Sequence, residues 1–392
     1  MELWLNAIVF GLLVIQIPAV AIWLSRLLQG PRRYPPLEPQ RTTVDLLGQV
    51  SIIVPTLNEA KRIAPCLAGL SRQGYEVREI IVVDSHSQDG TPDLVKAAQQ
   101  RDPRFRVIED APLPTGWVGR PWALHTGFLQ SSPHSEWILG IDADTQPQPG
   151  LVASLVKAAI AGEYDLVSLA PQFILKSPGE FWLQPALLLT LVYRFGPAGN
   201  LGDAAERVMA NGQCFLCRRA LLEQLEGYST ARASFCDDVT LARYAASQGA
   251  KVGFLDGARI IKVRMYEGVW ETWQEWGRSL DLKDAASVQQ IWGDLWLLVS
   301  VQGLPLPLTL LLLSQFNSAS LTLLVAFGLN LGLVGMRVAM MAAITASYDR
   351  SHIGKLENLA LWLSPLADPF AVLRIFLSSI NTPKQWRGRL YS

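Results

Sequence analysis

Three apolar runs in the first 146 residues share one form, a block of aliphatic and β-branched residues that stops abruptly at polar or acidic ones. They are SIIVPTLNEA (51–60), EIIVVDSHSQDGT (79–91) and WILGIDADTQ (137–146). Short continuous apolar runs bounded by turn residues predict buried strands of a parallel sheet rather than half-exposed ones. Between them, IAPCLAGLSRQG (63–74) and PDLVKAAQQ (92–100) carry helical spacing. The alternation predicts an α/β fold with right-handed crossovers, in which ligands bind beyond the carboxyl ends of the strands. Those ends carry Asn58 and Glu59, then Asp84, then Asp142 and Asp144, so the acids are expected to converge on one sheet edge.

The pattern continues less regularly. GWVGRPWALHTG (116–127) predicts a shaped loop leading into a short helix, and Arg120 within it is a planar, multidentate donor suited to phosphate. A helix over 151–161 and a strand over 165–170 follow. Residues 181–195 are strongly apolar, with Trp182 and Tyr193, but too short to span a bilayer. They fit either a core helix or an amphipathic segment that lies on a membrane and forms an acceptor groove. NGQCFLCRRA (211–220) reads as a strand entering a helix, and 251–255 as a further strand. CDDVTLARYAASQG (236–249) reads as a helix whose first turn holds Asp237 and Asp238, where the helix dipole alone favours acids. Trp270, Trp273, Trp276 and Arg278 recur at helical spacing, a stripe that rests on a membrane or on the domain.

Both ends are apolar. Residues 3–28 are long enough to cross the ~30 Å hydrocarbon layer, with Pro18 the only breaker. No small-residue cleavage site follows, which favours an anchor over a signal peptide. Arg26, Arg32 and Arg33 flank its downstream end and place the following domain in the cytoplasm by the positive-inside rule. Pro31, Pro35, Pro36 and Pro39 stiffen the linker after it. Towards the other end, 295–316 and 321–346 both have spanning length, and Arg337 inside the second must face protein, water or the interface. A third stretch, 359–380, contains Pro365, Asp368, Pro369 and Arg374. We read it as re-entrant or interfacial, which keeps the tail with Lys384, Arg387 and Arg389 in the cytoplasm. The expected organisation is an anchor (1–30), a linker (31–47), a catalytic domain (48–285) and a C-terminal membrane region (286–392).

Composition agrees with a multi-pass membrane protein carrying a cytoplasmic domain. Half of the 392 residues are hydrophobic, 17% are charged and mean hydropathy is +0.21. Zero formal net charge gives no electrostatic case for nucleic acid. Cys214 and Cys217 form a lone CxxC without a second pair at zinc-like spacing, so the four cysteines read as ordinary buried thiols.

Asp142 and Asp144 stand at i and i+2 where a strand ends, which puts both side chains on one side of an extended backbone. Two hard oxygen ligands at a sheet edge suit Mg²⁺ or Mn²⁺, with a substrate diphosphate completing the shell. The ordered set SIIVPTLNEA, VVDSHSQDGT, GRPWALHTG, IDADTQ, NGQCFLCRR and CDDVTLAR resembles the family 2 glycosyltransferases over residues 48–280. GWVGRPWALHTG, the RMY segment at 264–266 and the SPLADP and WRGRLY tail resemble more closely the members that glycosylate carotenoids or hopanoid-like lipids.

The resemblance implies a GT-A fold, a mostly parallel central sheet with helices on both faces. It implies an inverting, metal-dependent transferase moving one sugar from a nucleotide diphosphate sugar, UDP-linked, to a hydroxyl of a lipophilic acceptor such as a carotenoid. On that pattern Pro55, Thr56, Asn58 and Glu59 line the nucleotide pocket, Asp84 meets the uracil edge and Arg120 lies near the diphosphate. Asp142 and Asp144 hold the metal, Asp144 most directly. Asp238 is the general base, and Asp237, counted with it as catalytic, stands where most relatives have glutamate. Two departures stand out. His125 replaces a common asparagine, and the QxxRW motif of processive synthases is missing, since Gln274 begins QEWGR. The second argues for single transfer over polymer extrusion. Competing readings are a polyisoprenyl-phosphate or hopanoid glycosyltransferase and a nucleotide-sugar-binding membrane scaffold.

Overall fold

A computed structural model describes residues 2–28, 30, 33–199, 204–276, 280, 282–315, 320–351, 353–381, 385–386 and 389–390. Arg32, Arg278, Lys384 and Arg387, named above for charge or spacing, lie outside the described residues. The chain divides into two compact units, one comprising 1–32, 175–197 and 266–382, the other 33–174, 198–265 and 383–392. The first opens with helix α1 (Glu2–Leu27).

In the second unit the predicted strands and helices form in order. These are β1 (Val50–Thr56), α2 (Ile63–Ser71), β2 (Val77–Asp84), α3 (Thr91–Gln99), β3 (Phe105–Glu109), α4 (Gly119–Gln130) and β4 (Trp137–Ile141). A short β5 (Thr145–Pro147), α5 (Leu151–Ala161), β6 (Leu166–Ala170) and β7 (Gln172–Phe173) follow. Helix α6 (Pro178–Phe195) returns to the first unit, and then come β8 (Cys214–Arg218), α7 (Arg219–Gln224), α8 (Asp237–Ser247), β9 (Val252–Asp256) and β10 (Ile261–Val263).

The main sheet has the order β3-β2-β1-β4-β8-β6-β9. Every pairing is parallel except those of β8, which runs antiparallel to both β4 and β6. The apolar runs are continuous because each strand is buried on both faces. Ile52, Val54, Ile80, Val82 and Leu139 pack with α2, α3 and α5, while Ile53, Ile81, Val83 and Ile138 pack with α4, α7 and α8. Alternating side chains thus fill two separate cores. The CxxC follows the same rule. Cys214 joins the first core and Cys217 the second, on opposite faces of β8, so the two thiols cannot share an ion. Strand order reverses at β1, whose successors run outward through β2 while β4 lies on its other side. The resulting crevice beyond the carboxyl ends is where such sheets bind ligands. A second sheet, β5-β10-β7, closes the stretch after Asp144.

In the first unit, α1 and the helix Leu321–Ile344 are long and apolar enough to cross a membrane. Two bent pairs, 288–303 with 305–313 (42°) and 355–362 with 364–380 (54°), raise the number to four if each pair is one span. Helix α6 resolves the reading of 181–195: it is a helix whose Phe181, Leu183, Leu187, Leu189 and Tyr193 are buried within this unit. The tryptophan stripe does not act as one face, since Trp276 is buried and Trp270 exposed.

Arg337 faces protein. Its Nε donates to Asp368 Oδ2 (2.7 Å) and its Nη2 to Asp368 Oδ1 (2.9 Å) and to Ser364 Oγ (3.2 Å). Gln302 Nε2 donates to Asp368 Oδ1 as well (3.1 Å). The proline-broken stretch is therefore held to the helix Leu321–Ile344 by a buried bidentate ion pair, in which either charge alone would be costly. Arg337→Met is expected to lower stability in detergent by about 3 kcal/mol, because it strands a buried carboxylate, and Arg337→Met with Asp368→Met to recover most of that loss. Thermal unfolding of the purified single and double variants measures both.

Candidate active site

The crevice begins where β1 and β2 end together, with Thr56 opposite Asp84. Asp84 is buried and both of its oxygens are engaged within the chain. Thr56 Oγ1 lies 3.2 Å from Oδ1, and the Ser87 N–H donates to Oδ2 at 2.9 Å. Asn58 takes the left-handed conformation (φ 56°), which asparagine tolerates, and its side chain ties the two strand-end turns together. Its N–H donates to Ser87 Oγ and its Oδ1 accepts from the Gln88 N–H, both at 2.8 Å. Glu59 is buried, its N–H donating to Thr91 Oγ1 at 2.9 Å. Of the expected nucleotide-pocket residues, Pro55, Thr56 and Glu59 line the open cleft, with Arg120, Asp142 and Asp144 across from them.

One guanidinium joins the remaining candidates. Arg120, in the first turn of α4, donates through Nε to Asp142 Oδ1 (2.9 Å), through Nη1 to Asp237 Oδ2 and through Nη2 to the Gly212 carbonyl (2.6 Å). The Gly212 N–H in turn donates to Asp238 Oδ2 at 2.5 Å. The DxD turn, the loop before β8 and the start of α8 thus meet at one cation. Burial works against the charge on Arg120, but Asp142, Asp237 and Asp238 outweigh it and raise its pKa.

The carboxylates respond to the same surroundings. Burial pushes Asp237 up to about 7 despite the opposing pull of Arg120. Asp238 is also raised by burial, moderated by Arg120 and by the N–H groups of Val239 and Gly212. Asp144 is pushed up to about 7 by burial and by the neighbouring Asp142. A raised carboxyl pKa beside a cleft accompanies groups that take up protons or cations.

Asp144 Oδ1 is buried without a hydrogen-bond partner. Such an atom costs stability unless something occupies it, and a divalent cation is the natural occupant of an anionic oxygen at a cleft wall. Among the described residues no group of three or more His, Cys, Asp or Glu side chains converges to cage an ion. Two aspartates leaving most of the shell to phosphate oxygens and water is nevertheless how Mg²⁺ is commonly held at nucleotide sites. The residues fit Mg²⁺ or Mn²⁺ bound together with a diphosphate.

His125 stands apart from the cleft lining. It packs against Trp117 (ring centroids 5.1 Å) and Trp122 (6.0 Å), and its Nδ1 accepts from the Tyr228 N–H at 3.4 Å. Burial lowers its pKa, in keeping with a neutral ring that accepts at Nδ1. The sequence pattern did not single out Gly212, which serves both Arg120 and Asp238. The signal was available, because a glycine at the entry to an apolar strand can mark a close backbone approach. A Cβ there would lie 2.5 Å from Arg120 Nη2.

Comparison with known proteins agrees with this architecture. The profile of glycosyl transferase family 2 matches residues 51–226. A 4,4'-diaponeurosporenoate glycosyltransferase of Staphylococcus aureus is 24% identical over 355 residues, 88% of each chain. The probable glycosyltransferase YdaM of Bacillus subtilis is 24% identical over 249 residues, 61% of this chain and 55% of that one. Among solved structures, the mannosyltransferase PcManGT of Pyrobaculum calidifontis, in complex with GDP-Man and Mn²⁺, superposes with a TM-score of 0.52 at 18% identity, covering 95% of this chain and 97% of the other. With its mostly parallel sheet and its crevice of aspartates, the chain has a GT-A-like fold, and within it residues 51–226 match glycosyl transferase family 2.

Proposed function

We propose that this chain is an inverting transferase that moves one sugar from a nucleotide diphosphate sugar, UDP-linked, to a hydroxyl of a carotenoid. The observation that carries the reading is the Arg120–Gly212 junction, which gathers Asp142 and Asp238, from distant parts of the chain, beside the cleft that Asp144 also lines. Inversion needs a carboxylate base on one side of the anomeric carbon to take the acceptor's proton and stabilisation of the diphosphate on the other. Asp238, at the start of α8, is the base in this reading. Its raised pKa brings it closer to working pH, which suits proton transfer. Asp237, bound to the guanidinium, positions Arg120 rather than meeting substrate. Pro55, Thr56, Asn58 and Glu59 form the nucleoside side, and Asp84 orders the turn that meets the base.

Asp142 and Asp144 would hold Mg²⁺ or Mn²⁺, which when bound neutralises charge on the departing diphosphate. The carotenoid acceptor is supported by the name of the S. aureus relative and by apolar helices that provide a membrane setting for a lipophilic substrate. Arg26, in the last turn of α1, and Arg33 beyond it support a cytoplasmic catalytic domain.

A second reading is favoured by the same relative, whose name specifies a carboxylate. A carboxylate or polyprenyl phosphate acceptor is already anionic and needs no base. The test is mass spectrometry of lipid and pigment extracts from a carotenoid-producing host expressing this chain. A hydroxylated carotenoid gaining a hexose or deoxyhexose mass supports the first reading. Mass gained only by a carotenoid acid, a hopanoid or a polyprenyl phosphate replaces the acceptor. No gain in any lipid, despite expression and donor supply, counts against transfer itself and leaves a sugar-nucleotide-binding scaffold.

A further inference from the structure

We infer that Arg120 competes with the divalent cation for Asp142, so that metal binds tightly only together with a nucleotide diphosphate that draws the guanidinium away. This inference rests on the reading that Asp142 and Asp144 hold the metal. Nε of Arg120 donates to Asp142 Oδ1 at 2.9 Å, so a cation on that oxygen would have to share it with the guanidinium's positive charge. Like charges sharing one carboxylate oxygen in a partly buried site repel strongly, so the two occupants compete for it.

The guanidinium does not rest on Asp142 by that contact alone. Asp237 and the Gly212 carbonyl hold its other two nitrogens, in a fork geometry that lysine cannot reproduce. A diphosphate offers several anionic oxygens to the same fork and can replace Asp142 as its partner. Asp142 is then released to the ion. Asp144, whose Oδ1 lacks a partner, needs no such release. The two aspartates therefore differ in role, Asp144 as the standing ligand and Asp142 as the conditional one.

The consequence is coupling between the two ligands, which is reciprocal by linkage. Arg120 makes nucleotide-free metal binding weaker, whereas a residue that only contacts phosphate would leave it unchanged. Gly212→Ala gives an independent handle. Its Cβ would lie 2.5 Å from Nη2 and 2.8 Å from Cζ of Arg120, so the flexible guanidinium must shift while its charge stays in the site.

The test is Mn²⁺ binding to the purified full chain in detergent, followed by the electron paramagnetic resonance of free Mn²⁺, with and without UDP. In the unmodified chain, UDP is expected to tighten Mn²⁺ binding at least tenfold. Arg120→Gln and Gly212→Ala are each expected to tighten nucleotide-free Mn²⁺ binding by roughly tenfold, the equivalent of one charge-assisted hydrogen bond relinquished, and to shrink the UDP effect. Circular dichroism confirms that each variant is folded. If both folded variants bind nucleotide-free Mn²⁺ as the unmodified chain does, the competition is overturned and the metal site stands. If only Arg120→Gln tightens binding, the effect is loss of bulk charge and the competition is again overturned. If Mn²⁺ binds the unmodified chain under neither condition, the metal reading itself fails.

Discussion

Asp238→Asn is expected to reduce sugar transfer to a hydroxyl acceptor by about 10²–10⁴-fold while leaving nucleotide binding within a few-fold of normal. The side chain keeps its size, and its remaining oxygen can still accept the Gly212 N–H that Asp238 Oδ2 accepts at 2.5 Å, so the junction with Arg120 survives. What disappears is the capacity to take a proton. The readout is single-turnover transfer to the acceptor alongside titration with the nucleotide. A folded variant that keeps near-normal transfer would show that the acceptor arrives already ionised, favouring a carboxylate or phosphate. Asp237→Asn is expected to cost less, about tenfold, because it weakens one arm of Arg120 and removes no reacting group.

The contrast between these two acids shows what a sequence can and cannot carry. CDDV gives two neighbouring carboxylates in the first turn of a helix, and the helix dipole explains either of them equally well. Spacing in a helix also sets their directions, roughly 100° apart, but not which one meets a partner from another segment. That decision is made by Arg120, 117 residues away in sequence, and by a glycine peptide whose role is carried by backbone atoms. Long-range pairing of this kind leaves no local pattern.

The sheet was more legible because its signal is local and redundant. Each apolar run lies within its strand, and each ends at a polar turn that the fold places on the same edge. β8 was recognised as a strand, yet nothing in CFLCR announces that it runs antiparallel between β4 and β6. Direction follows from the chain's excursion through α6, which is tertiary information. Helix α6 is a similar case. Fifteen apolar residues fit a core helix or a membrane-surface helix by composition, and only packing distinguishes them. A charge such as Arg337 within a long apolar run requires a partner on physical grounds, but which one does not follow from the run, since Asp368 lies beyond a proline break.

Asp144→Asn is expected to have opposite effects on activity and stability. Transfer should fall by roughly 10³-fold or more, the rate equivalent of the several kcal/mol that a bound cation contributes to a departing diphosphate. Mn²⁺ binding in the presence of UDP should weaken in parallel. In metal-free buffer, however, the variant should be the more stable protein. Asp144 Oδ1 is buried without a partner beside Asp142, and a neutral amide relieves the repulsion between the two carboxylates. A gain of about 1 kcal/mol corresponds to a rise of roughly 2–4 °C in Tm for a domain of this size. Added Mn²⁺ with UDP should raise the Tm of the unmodified chain and leave that of the variant nearly unchanged, since only a ligand bound to the folded state stabilises it. A residue kept for packing would behave in the opposite way, losing stability on substitution whether or not metal is supplied. If Asp144→Asn lowers Tm in metal-free buffer, the carboxylate is structural, and the cation must be assigned to other ligands.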